Sequence, residues 1–291
     1  MPVDRGAATL LLYVAVLFVA GCEPRGESAD LASSASGRVV TDADGNPIRV
    51  QPPARRVISL VPSATLTLGA LGAEDRLVAR TDFDTAAWVG SLPSVGGGLQ
   101  PSIEAIVAAR PDLVIHFGGP QDVQTPRRLE DLGIRHAAVR PDRIHDILDM
   151  VRFLGAVTGR DEAADSLALS IESELAAVRR SAAGRPDVQV AYVLGGDPPW
   201  VAGPGSYIHE LIEMAGGTNA FSDLERRYAA VSPEEFHGRT IDLILLSRGT
   251  VFDARLAHGG RIVEVSPDLE LPGPRVAASA RELARILAHV P

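Results

Sequence analysis

Residues 102–117 read SIEAIVAARPDLVIHF, and residues 232–247 read SPEEFHGRTIDLILLS. The two stretches stand 130 positions apart and follow one plan. Ser102 and Ser232 each occupy the place a helix N-cap takes, and Pro233 falls in the first-turn position it favours. Ten residues after each serine an aspartate, Asp112 or Asp242, enters an apolar run, Leu113 to Phe117 or the second half of Ile241 to Leu246. A helix leading into a strand, twice at one spacing, predicts two equivalent α/β units.

Outward from these stretches, strands and helices keep alternating. Val57 to Val61, Leu77 to Ala79 and Ala137 to Val139 read as strands, with helices near 64–71, 102–109 and 125–132. The alternation resumes at Val188 to Leu194 and Ile262 to Val265 and closes with a helix over about 276–289. Such alternation predicts parallel sheets with crossover helices. Ahead of the first unit, Val39-Val40-Thr41 and Ile48-Arg49-Val50 flank Asp44-Gly45-Asn46, the pattern of a β-hairpin. Between the units lies a helical stretch without strand signals. Ile144, Ile147, Leu148, Val151 and Leu154 form one stripe, which Gly155 and Gly159 are expected to break. Ala164, Leu167, Ala168, Ile171, Leu175 and Val178 form a second stripe on a helix over 161–182, ~33 Å long at 1.5 Å per residue, long enough to join two lobes as a strut. The expected fold is therefore α/β: two Rossmann-like lobes with parallel sheets, residues 38–142 and 186–291, joined through a helical linker at 143–185 by one long backbone helix.

The amino terminus reads as an export signal. A charged start, Met1 to Arg5, precedes the uncharged apolar run Gly6 to Val19, which is too short to span a bilayer comfortably. It ends in Val19-Ala20-Gly21-Cys22, which resembles the bacterial lipobox, so residues 1–22 are expected to be a lipoprotein signal with Cys22 as the acylated residue. Residues 23–37, polar and rich in Ser, Ala and Gly, then form a flexible tether. The expected location is extracytoplasmic and lipid-anchored.

Composition narrows the function. Acids outnumber bases 37 to 28 for a formal net charge of -9, which disfavours nucleic acid as a partner. All 28 basic residues are Arg; without Lys there is no Walker-type phosphate loop and no Schiff-base chemistry. A single cysteine excludes an internal disulfide, a zinc ribbon and a cysteine-held iron–sulfur cluster. His209-Glu210 lacks the second His of a zinc protease, Gly203-Pro204-Gly205-Ser206 is not a nucleophile elbow, and Gly96-Gly97-Gly98 lacks dinucleotide-loop spacing. The seven histidines show no paired ligand spacing, with His116 the first to test. No catalytic constellation, metal site or intrinsic cofactor is expected.

What remains is a cleft. Ligands of open parallel sheets bind beyond the carboxyl ends of the strands. Just past the expected strands stand Pro62-Ser63-Ala64, Thr81-Asp82-Phe83, Phe117-Gly118-Gly119-Pro120, Gly195 to Trp200, and Ser247-Arg248, with Tyr228 in the loop before the Ser232 helix. Aromatics around a cleft with few charges suit a large, flat, partly apolar ligand.

Arg56 to Ser63, Val95-Gly96-Gly97, Ile103 to Ile115, Ala215-Gly216-Gly217-Thr218-Asn219-Ala220-Phe221 and Val231 to Glu235 together resemble the helical-backbone substrate-binding proteins of ABC importers for cobalamin, haem and ferric siderophores. The resemblance runs from about residue 38 to the end and is nearest the cobalamin binders. It implies two lobes on one long helix with the ligand between them, and a non-enzymatic role of capturing a cobalamin-like corrinoid and delivering it to a permease and its ATPase. Phe83, Phe117 and Tyr228 fall where such proteins place stacking aromatics, whereas Gly96 or Gly97 stands where another aromatic is expected. The expected ligand residues are Ser63, Phe83, Phe117, Gly118, Trp200, Tyr228 and Arg248. Haem remains open through Tyr228, Tyr207 or His116 as an axial ligand, and a ferric siderophore through Arg248. The resemblance also implies one docking glutamate per lobe, Glu104 and Glu234, and the chain is expected to act as a monomer. A surface lipoprotein enzyme or an adhesive module on the same scaffold is the alternative of a different class.

Overall fold

The computed structural model describes residues 38–290, which lie in one compact unit. Cys22 and the tether 23–37 fall outside the described residues.

The expected hairpin forms from β1 (Val39–Thr41) and β2 (Pro47–Arg49), antiparallel. Its turn is fixed by Asp42, whose carboxylate accepts the backbone N–H groups of Asp44 and Asn46 at 3.0 and 2.8 Å and also that of Ala138 at 2.9 Å. The hairpin is thereby tied to the first lobe's sheet.

That sheet has four parallel strands in the order β4-β3-β5-β6: β3 (Val57–Ser59), β4 (Leu77–Ala79), β5 (Leu113–Phe117) and β6 (His136–Val139). Helices α1 (Pro62–Ala70), α2 (Ile103–Ala109) and α3 (Gln124–Asp131) make the crossovers. In the second lobe β7 (Gln189–Gly195), β9 (Thr218–Asn219), β11 (Leu243–Ser247) and β12 (Arg261–Val265) run parallel in the order β9-β7-β11-β12. This is the same order as in the first lobe, strand for strand. Helix α6 (Tyr207–Met214) matches α1, and α7 (Pro233–His237) matches α2.

The repeat has a shared physical device. The Asp112 carboxylate accepts the backbone N–H groups of Arg55 and Arg56 at 2.8 and 3.1 Å, just ahead of β3. The Asp242 carboxylate, 130 positions on, accepts that of Gln189 at 2.8 Å, at the start of β7. Each aspartate clamps the amino end of its lobe's central strand pair. Both expected N-caps form: the Ser102 and Ser232 hydroxyls accept from Ala105 and Glu235 N–H at 3.2 and 3.1 Å.

The second sheet departs from pure parallel pairing. A ribbon of β8 (Trp200–Ala202) and β10 (Tyr228–Ala230) is added antiparallel along β7, so Trp200 and Tyr228 begin strands where the sequence suggests loops.

The long helix is α5 (Asp161–Ala182), with the bounds expected. Ala164 and Ala168 are buried in the first lobe's core with Val57, Leu68 and Ile115, while Ile171, Leu175 and Val178 are buried in the second's with Val190, Leu243 and Leu283 of α8 (Val276–Leu287). One helix thus anchors in both cores. A second does the same: α4 (Ile144–Thr158) places Ile144 and Ile147 in the second core and Val151 and Leu154 in the first. Gly155 does not break α4. A Cβ there would stand 2.4 Å from the Ala164 Cβ, so glycine is what lets α4 and α5 touch. Gly159, at φ +69°, ends the helix in the left-handed conformation that glycine adopts without strain.

Candidate functional site

A cavity of about 430 Å³ opens between the carboxyl ends of the strands of both lobes. From the first lobe it takes Pro62 and Ser63 after β3, Phe117 and Gly118 at the end of β5, and Arg140 and Asp142 after β6. From the second come Leu194 near the end of β7, Tyr207 at the start of α6, Arg227 and Tyr228 at β10, and Glu270 to Pro272 after β12. In each sheet the central strand pair, β3–β5 or β7–β11, is the switch point where the strand order reverses, the place such sheets bind ligands.

The lobes meet at its floor. Asp142 holds them: its backbone oxygen accepts the Tyr207 N–H at 2.6 Å, and its carboxylate pairs with Arg227 at 3.0 Å and Arg140 at 3.6 Å. Burial raises the Asp142 carboxyl above its ordinary range, and the two guanidiniums oppose that shift. Nearby, Gly273 sits against Ser63, where a Cβ would lie 3.2 Å from the Ser63 oxygen. The helix junction is tied as well: Glu210 of α6 accepts the Ile144 N–H at 2.8 Å and pairs with Arg143 at 3.0 Å, so this half of the His209-Glu210 pair holds the start of α4.

Of the residues expected at the site, Ser63, Phe117, Gly118 and Tyr228 line the cavity. Phe83, Trp200 and Arg248 stand outside it. Phe83 is 67% exposed and leans towards Gly97, and Trp200 is 49% exposed against Gly196. Arg248, also exposed, follows β11 directly. The three belong to the surface around the strand ends.

The glycine run beside Phe83 is explained position by position. Gly96 has φ +85°, and a Cβ on Gly98 would meet the Leu60 oxygen at 2.4 Å. At Gly97 a Cβ would make ordinary contacts, 3.8 Å from Phe83, so this is the position with room for a side chain.

Two candidate axial ligands are committed elsewhere. His116 is 2% exposed, and its ring nitrogens engage the Phe117 oxygen at 2.9 Å and His136 at 3.0 Å. The Tyr207 hydroxyl donates to the Leu269 oxygen at 2.9 Å, and burial pushes its titration far up. Tyr228 also keeps its proton, first through burial and then through the nearby Asp142 charge.

Arg140, Asp142, Arg227 and Glu270 were not singled out by the sequence. The just-past-the-strand rule applied to Ala137–Val139 and Ile262–Val265 reaches Arg140, Asp142 and the 266–272 segment. Arg227 carries no such signal, because β10 is not legible. Glu270 accepts from the buried Tyr192 hydroxyl at 3.0 Å, and burial raises its carboxyl above the ordinary range.

The docking candidates Glu104 and Glu234 are both exposed in the first turns of α2 and α7. Among the described residues the Glu235 carboxylate makes no reciprocal capping bond to Ser232; it pairs with Arg239 at 3.2 Å. Glu234 still has no hydrogen-bonding or ionic side-chain partner among the described residues, and Glu104 touches the Ser102 hydroxyl at 3.4 Å.

Two lobes on shared helices with a cavity between the strand ends define a two-lobed substrate-binding protein. The chain belongs to the periplasmic binding protein family, whose pattern matches residues 57–257. It is a substrate-binding protein of the ABC-importer type and not an enzyme. It is 28% identical over 245 residues to the vitamin B12-binding protein of Salmonella typhimurium, covering 81% of this chain and 91% of that one. It is 23% identical over 302 residues to an uncharacterised ABC transporter substrate-binding lipoprotein of Bacillus subtilis, covering 96% of each. Among solved structures, the periplasmic vitamin B12-binding protein of Vibrio cholerae superposes with a TM-score of 0.71 at 25% identity, over 81% of this chain and 97% of that one. The apo periplasmic haem-binding protein of a Roseiflexus species does so at 0.67 and 26%, over 80% and 98%.

Proposed function

We propose that this protein is the extracytoplasmic receptor of an ABC importer, anchored through Cys22, which captures a cobalamin-like corrinoid between lobes 38–142 and 186–291 and delivers it to a permease and its ATPase. The observation that carries the ligand is the cavity wall. Phe117 and Tyr228 come from opposite lobes, with Leu194, Leu271 and Pro272 between polar groups at the floor. Aromatic and apolar walls with a few fixed polar groups suit a flat macrocycle. At about 430 Å³ the cavity takes part of such a ligand, and Phe83 and Trp200 stand exposed nearby to meet the rest. The similarity to vitamin B12-binding proteins supports the same ligand.

Haem is the second reading, favoured by the haem-binding structural relative and by Tyr228, a hydroxyl that lines the cavity. Visible absorption titrations of the purified protein with cyanocobalamin, haem and ferric hydroxamate decide between them. Saturable binding of cyanocobalamin is expected. Binding of haem alone, with a tyrosinate-type spectrum lost in Tyr228→Phe, would replace the corrinoid by haem. For the anchor, Cys22→Ala should move the protein from the membrane to the soluble fraction and leave ligand affinity unchanged; an unacylated Cys22 in the mass spectrum of the native protein would overturn it.

A further inference from the structure

The charges of the cavity are unevenly placed. Asp142 is shared by two guanidiniums, Arg227 at 3.0 Å and Arg140 at 3.6 Å, which leaves that cluster with one positive charge in excess. Glu270, half-buried, also stands in the cavity wall. It has no Arg or His within ion-pair distance among the described residues. Its hydrogen-bond donor among the described residues is the hydroxyl of the fully buried Tyr192 of β7, at 3.0 Å. An ionised carboxylate offers about four lone-pair positions, and the Tyr192 hydroxyl occupies one of them. The remainder border a cavity whose neighbouring lining is Leu271, Pro272 and Leu194.

We propose that Glu270 is a specificity determinant of the cleft, accepting hydrogen bonds from uncharged N–H or O–H donors on the ligand rim and rejecting ligands that present carboxylates there. This rests on the corrinoid reading of the same site and names the rim chemistry that reading requires: primary amides, as on a corrin, and not the propionates of a haem. The physical ground is that a partly buried carboxylate without a cation gains a charge-assisted bond from an amide N–H and suffers like-charge repulsion from a second carboxylate. The Arg140–Asp142–Arg227 cluster then faces the acceptor groups of the ligand. The cavity wall thereby carries both an accepting and a donating group, which restricts how a flat ligand lies between the lobes.

The test uses a matched pair with one ring and two rims: dicyanocobinamide, fringed with amides, and dicyanocobyrinic acid, fringed with carboxylates. Each is titrated against the wild-type protein, Glu270→Gln and Glu270→Asp. Wild type should favour the amide ligand by about 10- to 100-fold, the scale of one charge-assisted hydrogen bond. Glu270→Gln should narrow that preference tenfold or more, since its own amide can donate to a carboxylate. Glu270→Asp keeps the charge and should retain the preference. If Glu270→Gln fails to fold, the wild-type preference and its persistence in Glu270→Asp carry the test. Corrins that bind wild type without preference, or with one that Glu270→Gln leaves unchanged, would overturn the role of Glu270 and leave the corrinoid reading standing. If neither corrin binds, haem and haem diamide are compared in the same variants; a preference for the diamide that narrows in Glu270→Gln would uphold Glu270 while the corrinoid reading falls. If neither pair binds, both fall.

Discussion

Asn219 shows how a family-like motif can be structural. It lies in the run Gly216-Gly217-Thr218-Asn219-Ala220-Phe221 and is 1% exposed. Its side-chain amide donates to the Ala202 oxygen at 3.0 Å, and its side-chain oxygen accepts the Phe221 N–H at 3.0 Å. It thus joins β8 to the turn after β9 and seats Phe221 against Phe236, ring centroids 5.5 Å apart. Asn219→Ala leaves a buried carbonyl and a buried N–H without partners. A loss of about 2 to 6 kcal/mol is expected in urea unfolding, at about 1–3 kcal/mol for each orphaned group. At this scale the sequence was partly legible. Ser63, Phe117 and Gly118 follow from the strand ends, because a strand's carboxyl end can be read from where its apolar run stops. Arg227 could not be found that way, since its place depends on a segment with no periodic pattern.

The helices that carry both cores make the next scale. A 22-residue helix was legible over 161–182 because its apolar stripe, Ala164 to Val178, persists for about four turns and outweighs any local ambiguity. The role of Gly155 was not. Its propensity cost of about 1 kcal/mol in a helix reads as a break, and the compensating contact lies on a different helix that sequence alone does not bring near. Gly155→Ala tests that contact directly. Alanine favours the helix, but its Cβ would overlap Ala164 at 2.4 Å and approach the Arg160 oxygen at 3.0 Å. Overpacking should prevail, with a net destabilisation of about 1 to 3 kcal/mol by thermal or denaturant unfolding. A stabilised variant would mean that α4 and α5 can separate freely. The β8–β10 ribbon was illegible for another reason: strands of three residues carry too little alternation to register.

Across the whole molecule, the lobes are joined by α4 and α5 together, each anchored in both cores, with Asp142, Arg227 and Glu210 bracing the junction. Hinge closure needs a few residues that can absorb a large backbone change. A pair of packed antiparallel helices resists that, so small-angle scattering should give the same radius of gyration with and without ligand; a marked contraction would show a hinge. A rigid receptor has to present its docking face already formed, and the proposed one rests on the 130-residue repeat. Crossover helices run antiparallel to the strands they connect, so the first turns of α2 and α7 lie at the carboxyl edges of the two sheets, the side on which the cavity opens. Glu104 and Glu234 stand exposed there at matched steps of the repeat. The helix dipole favours a carboxylate in a first turn, but such exposed charges contribute little to stability. A two-fold permease with a basic patch on each subunit would engage both. Glu104→Ala and Glu234→Ala should each leave unfolding and ligand affinity within error, and each should weaken permease binding. The double substitution should abolish transport in reconstituted vesicles. Normal transport by the double variant would remove these glutamates from the docking face.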